Sequence, residues 1–233
     1  MRKIVTYIIK YTKLLIKTKL HNIKIKRYWT KYYKIHRENS IPSDFAQYCT
    51  DKYFRASKGL KLLELGCGNG RDSIYFAKKG LNILGLDIVK EEINYLNRKY
   101  SNKKLVFKCY DFTTFKKKNY YDYIYSRFTI HTISEEQELL TLKNSYENLK
   151  ENGILLIEAR SIKDEMFKKS KKISETEGET DHYRRFLVYE KFIDKIRNQG
   201  FDIIESTEAQ GLAVYKNENP FIIRVIAIKK KVA

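Results

Sequence analysis

The stretch KLLELGCGNGRDSIYFAKKGLNILGLD, residues 61–87, decides the fold class of this chain. Its first five residues form a short apolar run, and a turn that contains three glycines follows. An apolar helical face comes next and ends in two lysines and Gly80, which is typical of a helix C-terminus. A second apolar run, residues 82–86, stops at Asp87. The order predicts a strand, a glycine-rich turn, a helix and a second strand.

The glycine turn and the acid that follows the second strand form a candidate site for a nucleoside. Gly66, Gly68 and Gly70 allow the backbone to approach a ligand where a Cβ atom would clash. The first N–H groups of the next helix favour an anion in the same crevice. Asp87 stands at the tip of the second strand, where a carboxylate can accept two hydrogen bonds from a ribose diol.

The spacing of the glycines separates this turn from a dinucleotide site. The dinucleotide fingerprint is G-x-G-x-x-G, whereas this chain has G-x-G-x-G, with Arg71 where the last glycine would stand. Glu64, just before the turn, is a second departure. Together, ELGCGNG and the later GLD resemble the cofactor site of class I S-adenosylmethionine (SAM) methyltransferases.

The resemblance implies SAM as the cofactor, S-adenosylhomocysteine as the product and a set of binding residues. In that family the glycine turn holds the methionine part of SAM, and the acid after the second strand holds the ribose. An acid after the third strand lies against the adenine amino group with an apolar neighbour against the ring, which here are Asp111 and Phe112. The alternative for Asp111 is a turn or N-cap aspartate. The predicted cofactor-binding residues are Glu64, Gly66, Cys67, Gly68, Asn69, Gly70, Asp87, Ile88, Asp111, Phe112 and Arg127.

The rest of the chain continues the alternation of strands and helices. This order predicts an α/β, Rossmann-like, doubly wound sheet. The last two predicted strands, residues 201–206 and 221–228, are joined without a helix, so we expect them to form an antiparallel hairpin. This matches the seven-stranded, mostly parallel sheet that the resemblance implies. Residues 161–181 are rich in Lys, Glu and Ser without clear periodicity and predict a mobile insertion.

The positive charge of the chain is concentrated near its N-terminus. Residues 1–40 contain 12 Lys or Arg and one acid, giving +11 of the formal net charge of +19. We therefore divide the chain into a basic helical extension, 1–36, and a SAM-dependent methyltransferase domain, 37–233. Apolar residues spaced by three and four predict an amphipathic helix over 3–20. Three roles stay open: packing on the domain, contact of residues 1–25 with an anionic membrane surface, and binding of a partner or nucleic acid.

Other compositional features bear on location. The three cysteines lie far apart and form neither a metal pair nor a disulfide framework, so we expect no metal site and a reducing compartment. Lys10 interrupts the first apolar run, so we expect neither a signal peptide nor a membrane span. The expected location is the cytoplasm. The basic extension adds the alternative of peripheral contact with the inner membrane.

Residues 27–33, RYWTKYY, are rich in aromatic side chains and precede the predicted domain. In the family that this chain resembles, such a segment often folds over the cofactor as a lid. The alternative is that the rings pack on the first helix of the domain.

The segment after the fourth predicted strand faces the transferred methyl group in this family. Enzymes that methylate amino groups of adenine or glutamine carry Asn/Asp-Pro-Pro-aromatic there, and cytosine-5 enzymes carry a Pro-Cys pair nearby. This chain has YSRF, residues 125–128, and no such Pro-Cys pair. Both absences argue against methylation of a nucleobase.

Four residues are candidates for the acceptor side of the reaction. Methyl transfer from SAM mainly requires positioning, with a base for a protonated acceptor and cations for an anionic one. Arg127 is a candidate anion ligand, with a surface salt bridge as the alternative. His131 is a candidate base or substrate ligand, or an ordinary histidine near a helix start. Arg184 and Arg185, in DHYRRF, are candidates for an anion-binding loop, or part of a solvated charge run.

The overall pattern resembles small-molecule methyltransferases, including those of bacterial capsule and O-antigen biosynthesis that methylate sugars or phosphates. It predicts methyl transfer to an oxygen of a small, anionic acceptor. Two alternatives stay open. One is an RNA or protein methyltransferase that uses the basic extension, and the other is a non-catalytic SAM-fold module that docks through it.

Overall fold

The computed structural model describes residues 23–37, 40–54 and 58–230. The strands of the central sheet are Lys61–Leu65 (β1), Asn82–Asp87 (β2), Leu105–Cys109 (β3), Tyr121–Arg127 (β4), Leu149–Arg160 (β5), Asp202–Ala209 (β9) and Ile222–Ile228 (β10). A smaller sheet contains Lys171–Lys172 (β6), Glu177–Glu179 (β7) and Tyr183–Arg185 (β8). The helices are 23–36 (α1), Asp44–Tyr53 (α2), Arg71–Lys78 (α3), Lys90–Tyr100 (α4), Glu135–Asn148 (α5), Glu165–Lys169 (α6) and Tyr189–Arg197 (α7), with short 3₁₀ helices at Phe112–Thr114 (η1) and Ile130–Thr132 (η2).

The central sheet has the strand order β3-β2-β1-β4-β5-β10-β9. Strand β1 pairs in parallel with β2 and β4, whereas β10 is antiparallel to both β5 and β9. The predicted seven-stranded, mostly parallel sheet with an antiparallel C-terminal hairpin is therefore confirmed. The strand order reverses between β1 and β4, so their carboxyl ends open a crevice of the kind that binds ligands in such sheets.

Both faces of the sheet are buried, as expected when helices cover a parallel sheet. Leu63 and Ile124 belong to a cluster on one face, which α5 and α7 cover. Leu62 and Tyr125 belong to a cluster on the other face, which α2, α3 and α4 cover. Because side chains alternate along a strand, a polar residue can be assigned to one of these faces from its place in the strand.

The segment after β5 has more regular structure than its sequence predicts. Asp164 caps α6 by accepting a hydrogen bond from the Met166 backbone N–H at 2.8 Å. The antiparallel strands β6, β7 and β8 follow. The sequence shows no clear periodicity here because strands of two or three residues are too short for an alternating pattern, and the expected mobility of residues 161–181 stays a prediction.

The predicted N-terminal extension is described only in part. Residues 23–36 are helical, whereas the predicted amphipathic helix of residues 3–20 lies outside the described residues. The boundary between 36 and 37 stays a prediction. Within the parts of the chain that the structure covers, no helix is long and apolar enough to cross a membrane.

Candidate active site

The glycine turn between β1 and α3 is shaped by its close neighbours. Gly66 and Gly68 have φ angles of 71° and 53°, in the left-handed region that favours glycine. A Cβ atom on Gly66 would lie 2.5 Å from Cγ2 of Thr129, and one on Gly68 would lie 3.1 Å from the ring of Tyr33. The turn therefore needs glycine both for its backbone and for the residues that cover it.

Asp87, at the end of β2, links the glycine turn to α1. Its Oδ2 accepts hydrogen bonds from the Gly68 backbone N–H at 3.1 Å and from the Tyr33 hydroxyl at 3.2 Å. Its Oδ1 accepts one from the Val89 backbone N–H at 2.9 Å. Burial raises the pKa of Asp87, and the Val89 and Gly68 donors oppose this rise. A carboxylate held in this way is positioned to accept hydrogen bonds from a ligand diol.

A cavity of about 280 Å³ lies at the carboxyl ends of four adjacent strands. Its walls include Gly66 after β1, Asp87 at the end of β2, Asp111 after β3 and Thr129 after β4. Two further predicted cofactor residues, Ile88 and Phe112, also line the cavity. The complete lining is Ile25, Lys26, Trp29, Tyr33, Gly66, Asp87, Ile88, Asp111, Phe112, Thr113, Thr129, Thr132, Ile133 and Gln137.

Helix α1 covers this cavity. Trp29 and Tyr33 line it together with Ile25 and Lys26. The side-chain amide of Asn69, in the glycine turn, donates to the His36 carbonyl at 3.1 Å. The aromatic segment therefore lies where the lid interpretation expects it, against the glycine turn.

The same helix also contacts the segment after β5. The Tyr28 hydroxyl donates a hydrogen bond to the Asp181 carboxylate. The ring centroids of Tyr28 and Trp29 lie 4.1 Å and 4.9 Å from that of His182. Helix α1 is therefore held at two places, the glycine turn and the inserted sheet.

Asp111 caps η1, as the alternative interpretation predicts, and lies at the cavity, while its contact with adenine stays a prediction. Its Oδ1 caps η1 by accepting hydrogen bonds from the backbone N–H of Thr113 at 2.9 Å and from its hydroxyl at 2.7 Å. The residue also lines the cavity. No described residue donates to Oδ2, so that oxygen is available to a ligand amino group.

Other predicted cofactor residues lie outside the cavity lining. Glu64 is buried in β1 and accepts a hydrogen bond from the Ser73 hydroxyl. Cys67 is also buried, and a Cβ atom on Gly85 of β2 would lie 3.0 Å from its Cβ. Burial raises the pKa of the Cys67 thiol well above its usual value, so this thiol stays protonated. Their predicted contact with cofactor stays a prediction, as it does for Gly68, Asn69, Gly70 and Arg127.

His131 is buried in η2 at the mouth of β4. Its Nδ1 accepts a hydrogen bond from the Arg160 backbone N–H at 3.2 Å. Burial, followed by the charges of Arg160 and Arg184, holds the pKa of His131 well below its usual value. The ring is therefore neutral, and because Nδ1 is an acceptor, its proton is on Nε2.

Arg184 and Arg185 are both buried in the inserted sheet. Arg184 pairs with Asp181, and Arg185 pairs with Glu138 of α5. The interpretation as a solvated charge run is therefore wrong. Their predicted role as anion ligands stays a prediction, with both guanidinium groups already engaged by carboxylates.

Arg127 pairs with a buried carboxylate on the opposite face of the sheet from Glu138. Its Nε donates to Oε1 of Glu158 at 3.0 Å, and the Glu158 side chain is 0% exposed. The alternative of a surface salt bridge is therefore wrong. Arg127 and Arg185 belong to two separate clusters, so the structure does not assemble the predicted arginines into one clamp.

A comparison with protein families settles the nature of the domain. A model described as "Methyltransferase domain" matches residues 56–211. The chain belongs to this family. The prediction of a class I SAM-dependent methyltransferase is thereby confirmed, with SAM as its cofactor, while the domain bounds 37–233 stay a prediction.

Relatives of this methyltransferase domain differ in what their names describe. The chain is 35% identical over 100 residues to phosphoethanolamine N-methyltransferase of Plasmodium falciparum, covering 42% of this chain and 38% of the relative. It is 29% identical over 108 residues to the probable SAM-dependent methyltransferase TehB of Haemophilus influenzae, covering 46% and 38%. The chain therefore spans less than two fifths of the length of these curated relatives.

A solved structure is similar over most of this methyltransferase domain. It is the 1,6-didemethyltoxoflavin-N1-methyltransferase of Burkholderia thailandensis with bound 1,6-didemethyltoxoflavin and S-adenosylhomocysteine. The TM-score is 0.68 at 13% identity, covering 89% of this chain and 88% of that chain. At this identity the likeness concerns the fold.

Several residues of the methyltransferase site were not singled out from the sequence. Thr129, Thr132, Ile133 and Gln137 line the cavity from the segment that runs from β4 into α5. Glu158 and Arg224 form the buried ion cluster around Arg127. A signal for the latter pair was present, because each is a charged residue within an apolar strand, and charged side chains are rarely buried without a partner.

Proposed function

We propose that this chain transfers a methyl group from SAM to an oxygen of a small, anionic acceptor. The observation that supports a small acceptor most is the cover that α1 forms over the strand ends. Helix α1 lines the cavity of about 280 Å³, and its Tyr28 contacts Asp181 and His182 of the inserted sheet. A sugar or a phosphate ester, as in surface-polysaccharide biosynthesis, suits such a site better than a polymer.

The protein contributes to the reaction chiefly by orienting SAM and the acceptor. SAM supplies an electrophilic methyl group whose transfer releases a neutral thioether, so the leaving group needs no acid. The neutral His131 offers an Nε2–H donor, and it accepts a further proton only by becoming an imidazolium that burial and nearby arginines disfavour. This favours an acceptor that arrives as an anion, because such an acceptor needs hydrogen-bond donors and cations and no general base.

The test is a transfer assay with SAM labelled in its methyl group. Phosphorylated sugars, nucleotide sugars, neutral sugars, RNA and a protein extract are offered separately, and Asp87→Ala serves as the cofactor-site control. We expect label in a phosphorylated small-molecule fraction and none with the control. Label confined to RNA or protein would contradict the proposal and favour the polymer alternative. Binding of SAM without transfer in a fractionated host extract would favour a non-catalytic module.

A second candidate differs in the acceptor atom. The relative from Plasmodium falciparum is named phosphoethanolamine N-methyltransferase, and this name supports an amino group on a phosphorylated small molecule. The two candidates share an anionic acceptor. Phosphoethanolamine in the same assay separates them, since label in an N-methyl product supports the second, and label in a methyl phosphate or a methylated sugar supports the first.

Contact with an anionic membrane surface through residues 1–25 belongs to the same proposal. The outward side of α1 carries Lys24, Arg27, Lys31 and Lys34, all exposed, and each basic side chain near such a surface contributes about 1 kcal/mol. We expect the whole chain to float with vesicles containing phosphatidylserine, and a version without residues 1–25 to float less. Equal flotation of both would remove the role of the extension, and strongly salt-dependent RNA binding would instead favour nucleic acid.

A further inference from the structure

Glu158 holds two arginines from neighbouring strands on one face of the central sheet. Its Oε1 accepts from Nε of Arg127 on β4 at 3.0 Å. Its Oε2 accepts from Nε and Nη2 of Arg224 on β10 at 3.1 Å and 2.6 Å. The two guanidinium charges oppose the rise in pKa that burial imposes on Glu158. An acid with no exposed side-chain surface is therefore occupied at both oxygens.

The two arginines differ in how many of their guanidinium N–H groups are already hydrogen-bonded. Arg224 is enclosed, because it donates to the Leu212 carbonyl at 3.1 Å and its guanidinium carbon lies 4.8 Å from the ring centroid of Phe45. Arg127 is held through Nε alone, and its two terminal amino groups make no hydrogen bond with a described residue. Its side chain is 16% exposed. The free edge of Arg127 is a planar pair of donors, the geometry that matches a carboxylate or phosphate.

Arg127 lies in the segment that covers the glycine turn. The Thr129 hydroxyl donates to the Arg127 carbonyl at 3.1 Å, and Thr129 is the residue against which Gly66 is packed. Two residues before Arg127 on the same face, the Tyr125 hydroxyl donates to Asp72 in the first turn of α3 at 2.9 Å. Arg127 therefore lies beside the turn and the helix start that follow β1.

The rigidity of the segment after Arg127 adds to this arrangement. Phe128 has a φ of 55°, an uncommon conformation for a bulky residue that persists where the surroundings hold it. Its backbone N–H donates to the Glu158 carbonyl at 2.8 Å. Its ring centroid lies 4.2 Å from the guanidinium carbon of Arg127. Glu158 thus fixes the end of β4 through its backbone as well as its side chain.

We infer that Glu158, supported by Arg224, is a positioning residue that holds Arg127 by one edge so that its other edge binds an anionic group beside the methyl donor. The inference rests on the proposed SAM-dependent reaction. Two sources supply such a group: the carboxylate of the methionine part of SAM, and the anionic group of the acceptor. The ion cluster thereby has a ligand-directed role in addition to its part in the core.

The first experiment separates this role from a structural one by the use of two ligands. S-adenosylhomocysteine and 5′-methylthioadenosine share the nucleoside and the thioether, but only the former carries a carboxylate. Calorimetry on the whole chain gives the ratio of their Kd values for the wild type, Arg127→Lys and Glu158→Gln. If the carboxylate is the ligand, both variants weaken S-adenosylhomocysteine by ~10-fold and leave 5′-methylthioadenosine unchanged.

A second arm of the experiment addresses the acceptor as the source. Inorganic phosphate is titrated into the complex with S-adenosylhomocysteine, and the shift in thermal unfolding is recorded. If the acceptor's anion is the ligand, the ratio of Kd values stays constant, whereas phosphate raises the unfolding temperature of the wild type and not of the two variants. Either result supports the inference.

The matched control is Glu138→Gln. Glu138 is also fully buried and pairs with two cations, Arg185 and Lys195, on the opposite face of the sheet. We expect Glu138→Gln to lower the stability of the protein without changing the ratio of Kd values or the response to phosphate. If Glu158→Gln fails to fold, Glu158→Asp takes its place, and Arg127→Lys keeps the charge without the planar pair of donors.

Two results separate the inference from the function on which it rests. Folded variants at Arg127 and Glu158 with an unchanged Kd ratio and an unchanged response to phosphate overturn the inference alone. Failure of the folded wild type to bind S-adenosylhomocysteine overturns the proposed function as well.

Discussion

The two ends of the candidate site use their charged groups in different ways. At the donor end, Asp87 receives hydrogen bonds from the glycine turn and α1 and still lines the cavity. At the predicted acceptor end, Arg184 and Arg185 are paired with Asp181 and Glu138. At the donor end the glycine turn and Asp87 lie within one short stretch, whereas Arg185 is paired with Glu138, 47 residues away in the chain. Charge at the first end is available for a ligand, and much of the charge at the second holds the fold.

The largest expected effect comes from breaking an ion pair at the acceptor end. Arg185→Met leaves the fully buried Glu138 with Lys195 as its remaining cation. We expect the free energy of unfolding to fall by about 3 kcal/mol, because a buried charge loses a partner. Urea denaturation measures this, and Arg197→Met, at a site 58% exposed, is the control with little change. Undiminished stability together with lost turnover would instead make Arg185 a substrate ligand.

A smaller difference between variant and control is expected from the glycine turn at the donor end. Gly66→Ala places a Cβ atom 2.5 Å from Thr129 at a φ of 71°. Gly211→Ala is the matched control, since Gly211 has a φ of 81° and nothing within 4 Å of its added Cβ. Both variants share a backbone cost of about 1–2 kcal/mol. We expect only Gly66→Ala to lose further stability, about 1–3 kcal/mol, and to weaken S-adenosylhomocysteine binding.

Equal stability and unchanged ligand binding in Gly66→Ala and Gly211→Ala would contradict the close packing of the segment after β4 on the turn. Such a result would mean that the donor end does not depend on the residues that touch its backbone.

The pH dependence of stability gives the smallest effect and has opposite signs at the two ends. The pKa of His131 is lowered in the folded protein, so below about pH 6.5 the unfolded chain binds the extra proton first. Stability therefore falls as the pH decreases below that value, by up to about 1.4 kcal/mol per pH unit for one histidine. The pKa of Asp87 is raised, so its contribution falls as the pH rises from about 4.

The comparison of wild type with His131→Gln tests the acceptor-end part of this dependence. Urea denaturation between pH 5 and pH 7 should show a shallower slope for the variant, because glutamine does not titrate. An identical slope in both proteins would mean that His131 gains its proton in the folded state as readily as in the unfolded one.

The same contrast between local and long-range contacts explains which parts of the fold could be predicted from the sequence. The strand Lys61–Leu65 and the sheet were predictable, because each depends on local periodicity or on a few adjacent residues. The inserted strands β6 to β8 were not, since their short lengths carry no pattern.

The candidate site divides in the same way. Gly66, Asp87, Asp111 and Phe112 were predicted and line the cavity. The partners of the arginines could not be predicted from spacing, because ion pairs such as Arg185 with Glu138 join residues far apart in sequence. Glu158 and Arg224 left a usable signal, as isolated charges within apolar strands, but that signal does not say which charges meet.

The central claim is that the turn after β1 and Asp87 form a SAM site in this chain. The most direct test is a calorimetric titration of S-adenosylhomocysteine into the whole protein and into Asp87→Asn. We expect one site per chain in the wild type and a Kd raised by ~10- to 100-fold in the variant, since a charge-assisted hydrogen bond to the ribose is lost. Equal binding by both folded proteins, or none by the wild type, would contradict the account.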